Sequence, residues 1–331
     1  MMEFRTFVTC ELPACQLSYD NSLLLIGSCF TENIGQKLNY FRFRTEINPC
    51  GIVYNPLSVV NVLKMLEEER RFTEEDLWEN QGKWVSLYHH SNFASLRKEE
   101  CLHAINTRLS RAAAFLKQTD YLLITFGTAW VYRHRSTGII VSNCHKFPGT
   151  DFERFRLCKE EIVQLYQPLL TRLRERNPRL KVIFTVSPIR HWRDGAQGNQ
   201  VSKAILLLAT EELCRTVPQT YYFPAYEILM DELRDYRFYA DDMLHPSAVA
   251  VEYIWEKFRD TWITPQIYDL MRRIDKLNKG LAHRPFFAGS AEYLNFKKRL
   301  SEEIQALKKA NQNIVFGSDE LSASISSVSS V

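Results

Sequence analysis

The chain has 331 residues, of which 45% are apolar and 24% are charged. This composition excludes wholesale disorder and permits a large buried core. The 42 basic and 39 acidic side chains leave a net charge of +3, which is too even to indicate a nucleic-acid partner or a polybasic membrane anchor.

No apolar run approaches the ~20 residues that a membrane-spanning helix needs. The first residues contain the early acidic Glu3 and no continuous apolar stretch, so the sequence predicts no secretory signal. Eight cysteines without repeating spacing and without a C-x-x-C pair favour reduced thiols over a disulfide framework or a zinc cluster. We therefore expect a cytoplasmic protein.

Short, continuously apolar runs predict strands that are buried on both faces. Four such runs occupy residues 23–26, 121–126, 182–186 and 221–223, and a weaker fifth lies around 41–47. Segments with helical spacing follow each of the four runs. This alternation predicts an α/β protein with a mostly parallel five-stranded sheet covered by helices on both faces.

Two regions break the alternation. Residues 84–88 read as a strand, and residues 130–143 read as a hairpin around a Ser-Thr-Gly turn. The predicted organisation is one domain over residues 1–260 with insertions at about 80–95 and 130–157. A helical extension follows over residues 261–316, and a flexible Ser-rich tail over residues 317–331.

The first strand runs directly into Gly27-Ser28-Cys29, after which a helix is predicted. Ligands of open α/β sheets bind at the carboxyl ends of strands. The free N–H groups of a helix N-terminus stabilise a thiolate and lower its pKa. Cys29 is therefore a candidate nucleophile, although a small buried cysteine at a strand end explains the same pattern equally well.

Near the other end of the chain, Asp242 and His245 stand three residues apart in a turn before a predicted helix. That spacing lets a carboxylate hold one imidazole nitrogen while the other nitrogen faces a nucleophile. The alternative interpretation is an Asx-type turn with a surface histidine.

These motifs carry a family resemblance. A strand followed by Gly-x-(Ser/Cys)-(Leu/Phe), with Asp-x-x-His near the end, resembles the SGNH/GDSL hydrolase superfamily. More closely, the chain resembles the GSCFA family, whose motif stands here as Gly-Ser-Cys-Phe-Thr over residues 27–31. Blocks at residues 48–56, 126–130, 187–191 and 242–245 are also similar to that family.

The resemblance implies a three-layer α/β/α fold of flavodoxin-like, SGNH type. It also implies a Cys29 nucleophile, a His245 base and an orienting Asp242, with no cofactor and no metal. Ser28 aligns with the Asp of the superfamily's Gly-Asp-Ser-Leu motif. Ala129 aligns with the asparagine that forms the oxyanion hole in that superfamily. The expected oxyanion and binding residues are therefore Ser28, Asn48, Gly51, Gly127 and Thr128.

Substrate-binding residues are expected beside the third long strand. Arg190 could bind a carboxylate or a phosphate, and His191 lies at the same sheet end; a loop ion-pair network is the alternative. Trp130 belongs to a group of aromatic residues that is compatible with a carbohydrate substrate. A metal site built from Cys144, His145, His90 and His191 is conceivable, but these residues show no ligand spacing.

The sequence thus predicts an acyl-ester hydrolase or acyltransferase that works through a covalent acyl-enzyme on a cysteine. The substrate is expected to be a small-molecule or carbohydrate acyl ester. The alternative is a catalytically silent binding module that retains the pocket.

Overall fold

Five parallel strands form the central sheet of the protein. The computed structural model describes residues 5–287 and 289–316, so the tail predicted at 317–331 lies outside the described residues. The strands are β1 (Ser22–Gly27), β2 (Arg44–Ile47), β3 (Trp78–Asn80), β4 (Lys83–Val85), β5 (Tyr121–Phe126), β6 (Trp130–His134), β7 (Ile140–Val141), β8 (Phe152–Arg156), β9 (Lys181–Val186) and β10 (Thr220–Tyr222).

The α-helices lie mostly between the strands of the central sheet and after its last strand. They are α1 (Cys29–Tyr40), α2 (Pro56–Glu67), α3 (Lys98–Leu116), α4 (Lys159–Arg176), α5 (Gly195–Thr216), α6 (Ala225–Glu227), α7 (Ala248–Trp262), α8 (Tyr268–Ala282) and α9 (Ala291–Ala310). Among the described residues, no helix is both long enough and apolar enough to cross a membrane.

The central sheet has the strand order β2-β1-β5-β9-β10, and each neighbouring pair is parallel. Counted within this sheet, the order is 2-1-3-4-5, the flavodoxin-like arrangement. The chain changes its winding direction between β1 and β5, which opens a cleft at the carboxyl ends of these two strands. The predicted α/β fold with a mostly parallel five-stranded sheet is confirmed.

Side chains of each central strand alternate between two helical layers, as the pleat requires. Leu24 and Ile26 pack with helices α2 to α5. Leu23 and Leu25 pack on the opposite face with α1, α7, α8 and α9. Because both faces are covered, these strands have no polar side, and this explains why they read as unbroken apolar runs.

Two small antiparallel sheets stand apart from the central one. β3 pairs with β4, and β6 lies between β7 and β8. The predicted hairpin at residues 130–143 corresponds to the β6–β7 pair. The strand predicted at 84–88 is correct only up to Val85, because Ser86 then forms a turn by accepting the N–H groups of Tyr88 and His89.

Candidate active site

The candidate active site lies at the carboxyl ends of β1 and β5. Gly27 ends β1 with φ +151°, and a Cβ placed there would lie 2.3 Å from the Thr125 carbonyl oxygen of β5. Only glycine fits both the conformation and the close approach. This glycine therefore directs the chain from the sheet into α1 at the point where the cleft opens.

Cys29 is the first residue of α1, and Ser28 is its N-cap. The Ser28 hydroxyl accepts the Phe30 N–H at 3.3 Å. Ser28 itself is buried, so its side chain caps the helix and does not line the cleft. No other described residue accepts the Cys29 N–H, which is one of the donors that a helix start leaves unpaired.

The acidity of the Cys29 thiol differs from the expectation. Burial raises its pKa above the ordinary value, and this outweighs the backbone N–H groups of Cys29 and Phe30, which lower it. The helix terminus is therefore present, but desolvation of the charged thiolate is the larger effect. A protonated thiol at neutral pH needs a base before it can attack a carbonyl.

Asp242 and His245 form a hydrogen-bonded pair in a turn before α7. The His245 Nδ1–H donates to Asp242 Oδ2 at 2.5 Å, and Asp242 Oδ1 accepts the N–H groups of Leu244 and His245 at 2.9 Å each. These bonds, the backbone ones foremost, lower the pKa of Asp242 to about 2. The ionised carboxylate fixes Nδ1 as the donor, so Nε2 is left as a proton acceptor.

Cys29 and His245 line the same cavity, which has a volume of about 480 Å³. We call it the thiol cavity. Its wall also includes Tyr54, Asn55, His90, Thr128, Trp130, Cys144, Arg154, Arg190, His191 and Trp192. The fold thus brings together a thiol and an imidazole that are separated by more than two hundred residues of sequence.

A second cavity of about 450 Å³ adjoins the first, and we call it the side cavity. Arg190 and Trp192 line both cavities, whereas Asp242 lines only the side cavity. The rest of its wall is mainly apolar and aromatic, with the charged Arg234 and Asp235 beside Leu229, Met230, Tyr236, Tyr239, Met243 and Leu244.

Three of the predicted oxyanion donors are engaged elsewhere. The Gly51 N–H donates to the Asn48 carbonyl at 2.7 Å, and the Gly127 N–H donates to the Tyr54 carbonyl at 2.7 Å. The Asn48 side chain accepts the Gly27 N–H at 2.9 Å and donates to Glu32 at 3.4 Å. These three residues shape the loops around the cleft, and the prediction that they donate to an oxyanion is not supported by their hydrogen bonds.

Thr128 does line the thiol cavity, but its groups are also shared. Its N–H donates to the Tyr54 carbonyl at 3.0 Å. Its hydroxyl lies 3.1 Å from the Ser202 hydroxyl and accepts the Trp130 N–H. The Thr128 proton is therefore free for a ligand only when Ser202 is the donor of that pair.

Asn55 was missed by the sequence reasoning as a site residue. It is 6% exposed and lines the thiol cavity. Its Oδ1 accepts the Ser58 N–H at 2.8 Å as the N-cap of α2, while its Nδ2 has no partner among the described residues. The Asn-Pro pair in the sequence signals a helix start but not an amide that faces a cavity.

Lys203 was also missed, because a lysine within a helix carries no signal of burial. Its Nζ donates to the Gly127 carbonyl at 2.7 Å and to the Ser187 carbonyl at 2.6 Å. Burial lowers its pKa to about 7. The amine thus ties the chain after β5 to the chain after β9, next to the cleft.

His191 and Trp130 both line the thiol cavity, as expected of substrate-binding residues. Burial lowers the pKa of His191 to about 4, so this ring is neutral at physiological pH. The Arg154 guanidinium lies 4.2 Å from the centre of the Trp130 ring and forms an ion pair with Asp194. Asp194 thus pairs with Arg154, and the loop ion pair that the sequence left open as the alternative for Arg190 does not form among the described residues.

The conceivable metal site does not assemble. His145 does not line the thiol cavity; its Nε2 lies 2.9 Å from the Ser86 carbonyl and 3.0 Å from that of His89. Over residues 5–287 and 289–316, no three His, Cys, Asp or Glu side chains are grouped so that they could hold a metal ion.

The chain matches two family profiles. Residues 22–258 match the profile of the GSCFA family, and residues 274–324 match that of the GSCFA domain protein, C-terminal domain. The chain belongs to the GSCFA family. The first match contains Cys29, Asp242 and His245, so all three lie in the part that defines this GSCFA protein as a member.

Solved structures similar to this GSCFA chain include three esterases. A family 3 carbohydrate esterase of Clostridium thermocellum is 8% identical with a TM-score of 0.34, covering 77% of this chain and 98% of that one. A family 3 carbohydrate esterase of Talaromyces cellulolyticus is 10% identical with a TM-score of 0.34, and the match covers 76% of this chain and 99% of that one. An acetyl xylan esterase of Butyrivibrio proteoclasticus is 12% identical with a TM-score of 0.35, and the match covers 74% of this chain and 65% of that one. No curated protein matches the sequence.

Proposed function

We propose that this GSCFA protein is an acyl-ester hydrolase or acyltransferase that forms a covalent acyl-enzyme on Cys29. One observation carries the proposal: the Cys29 thiol and the His245 ring line a single cavity, and Asp242 occupies the other nitrogen of that ring. A nucleophile, a base and a group that orients the base are the components of a triad.

In the first step, His245 Nε2 takes the thiol proton and Cys29 Sγ attacks the ester carbonyl carbon. The carbonyl π electrons move to oxygen and give a tetrahedral oxyanion. When that oxyanion collapses, the bond to the alcohol oxygen breaks, and the proton on His245 passes to the leaving alkoxide. The product is a thioester on Cys29 and a free alcohol.

The oxyanion requires donors that are not already used. We assign this role to the Cys29 N–H and to Asn55 Nδ2, which has no other partner among the described residues and lines the same cavity. The helical cap holds the amide oxygen of Asn55 in place, and this fixes the direction of the amide nitrogen. Asn55 would thus replace the asparagine that the sequence lacks at Ala129.

In the second step, a water molecule or an acceptor alcohol replaces the first alcohol. His245 removes its proton, and the new oxygen attacks the thioester carbonyl to give a second tetrahedral oxyanion. When this oxyanion collapses, the carbon–sulfur bond breaks and the proton on His245 returns to Cys29 Sγ. A small-molecule or carbohydrate ester suits a cavity of about 480 Å³ with Trp130 and Trp192 in its wall, because aromatic faces pack against sugar rings.

The test is to trap the acyl-enzyme. The protein is mixed with p-nitrophenyl acetate, quenched in acid and analysed by intact mass and peptide mapping. We expect one acetyl group on Cys29 and a burst of p-nitrophenol, both lost in Cys29→Ala. Cys144→Ala is the matched control, because Cys144 lines the same cavity and burial also raises its pKa. Acetylation of Cys144 instead of Cys29 would contradict the proposal.

The raised pKa of the half-buried Cys29 thiol and the engaged N–H groups of Gly51 and Gly127 favour a second candidate, a binding module without catalysis. Alkylation by iodoacetamide separates the two. In the enzyme, adding an ester substrate protects Cys29 competitively, and His245→Ala slows the alkylation near pH 8. In the silent module, the His245→Ala substitution leaves the rate of Cys29 alkylation unchanged.

A further inference from the structure

Arg190 lies in the wall shared by the thiol cavity and the side cavity. Its Nε is buried without a hydrogen-bond partner. One terminal nitrogen rests 3.9 Å from the Met230 sulfur, a weak acceptor. No carboxylate of the described residues forms an ion pair with this guanidinium.

The nearby carboxylates are already used. Asp194 pairs with Arg154, and Asp242 holds His245. Asp235 accepts the backbone N–H of Arg237 and lies 3.8 Å from its guanidinium. A partly buried guanidinium is costly when it lacks an anion, and no described side chain of either cavity supplies one.

We propose that Arg190 binds an anionic group of the substrate, so that the substrate class is an acyl ester that carries a carboxylate or a phosphate. This inference rests on the proposed acyl transfer at Cys29. Arginine matches both anions because its parallel N–H groups pair with two oxygens at once. The anion would lie at the junction of the two cavities, with the ester carbonyl at Cys29 in the thiol cavity.

The apolar wall of the side cavity supports this placement. Leu229, Met230 and Leu244 line the side cavity together with Arg190. Weak solvation there strengthens a charge-assisted hydrogen bond. Arg193 provides the contrast: it also lines the thiol cavity but is exposed to solvent, so water already satisfies it.

The experiment compares anionic esters with neutral analogues of nearly the same shape. The carboxylate arm pairs monomethyl succinate with dimethyl succinate, and methanol release is measured. The phosphate arm pairs an acetyl ester of glycerol phosphate with glycerol monoacetate, and acetate release is measured. We expect kcat/KM to favour the anionic member of one arm by roughly tenfold to a hundredfold, as for a hydrogen bond to a charged group.

Substitutions assign the preference to one residue. Arg190→Gln should abolish it, Arg190→Lys should retain part of it, and the matched control Arg193→Gln should leave it intact. Thermal unfolding of each variant shows whether it is folded. Equal rates on anionic and neutral esters would overturn the inference, and so would an equal loss of the preference in Arg193→Gln.

Calorimetry with succinate and inorganic phosphate separates this inference from the proposed function. The titrations use the Cys29→Ala protein, with and without Arg190→Gln. Arg190-dependent binding without any ester turnover in the unmodified protein would support the anion site and overturn the acyl-transfer proposal. Ester turnover without Arg190-dependent binding or preference would support the enzyme and overturn the anion site.

Discussion

Cys29 and His245 line the same cavity, but different kinds of structure hold them. Cys29 follows Gly27, whose N–H and close approach are fixed by Asn48 and Thr125 of neighbouring segments. His245 lies in an exposed turn that is closed by its own hydrogen bonds, among them Ala240 N–H to the His245 carbonyl at 2.8 Å. The nucleophile is therefore positioned by the core, and the base by a local turn.

This difference teaches that the two residues should respond differently to substitution. Changes around Cys29 disturb strand contacts and cost stability as well as activity. Changes in the turn of His245, whose side chain is 51% exposed, should cost activity alone.

Cys29→Ala and His245→Ala should each lower kcat by at least about a thousandfold, because each removes a member of the proposed triad. His245→Ala should change the free energy of unfolding by less than about 0.5 kcal/mol, since the side chain is exposed. The rate of ester hydrolysis and the free energy of unfolding in urea are measured for both variants.

Cys29→Ser should keep weak activity. Ser28→Ala should lose the helix cap but not turnover; a greater loss than in Cys29→Ala would move the nucleophile to Ser28.

Gly27→Ala should destabilise the fold by about 3 kcal/mol, because the new methyl group meets the Thr125 carbonyl and the backbone is strained at positive φ. Asp242→Asn, in the exposed turn, should cost far less stability but still reduce kcat. Urea denaturation of both variants measures the contrast. Equal losses of stability would show that the two halves of the site are held alike.

Asn55→Asp should lower kcat by about a hundredfold, the typical cost of one oxyanion donor. The aspartate keeps the oxygen that caps α2 but lacks the amide N–H groups, so the cap is retained. Asn55→Ala loses both functions and should also lower stability by about 1 kcal/mol. Full activity in Asn55→Asp would remove Asn55 from the oxyanion site.

The buried Lys203 should make the stability of the protein depend on pH. Because burial lowers its pKa to about 7 in the folded state, the unfolded chain binds more protons between about pH 7 and 10.5, and stability rises with pH over that window. Over that window the Lys203 contribution to stability should increase by on the order of 1 kcal/mol per pH unit. Lys203→Met should remove this part of the rise in urea unfolding, and an unchanged pH profile would contradict it.

The layered fold and the two motifs of the candidate site can be predicted from the amino-acid sequence. Continuous apolar runs mark strands that are buried on both faces, and a Gly-Ser-Cys turn and an Asp-x-x-His turn are local patterns that can be read directly. These features depend on neighbouring residues along the chain, which is why periodicity and spacing detect them.

The availability of the polar groups and the acidity of the thiol depend on the tertiary structure. The N–H groups of Gly51 and Gly127 donate to the carbonyls of Asn48 and Tyr54, whereas Asn55 Nδ2 has no partner among the described residues. Burial, which depends on how distant segments pack, raises the pKa of Cys29 despite its place at a helix start. Hydrogen-bond availability and desolvation are properties of the packed molecule, so no local pattern in the chain encodes them.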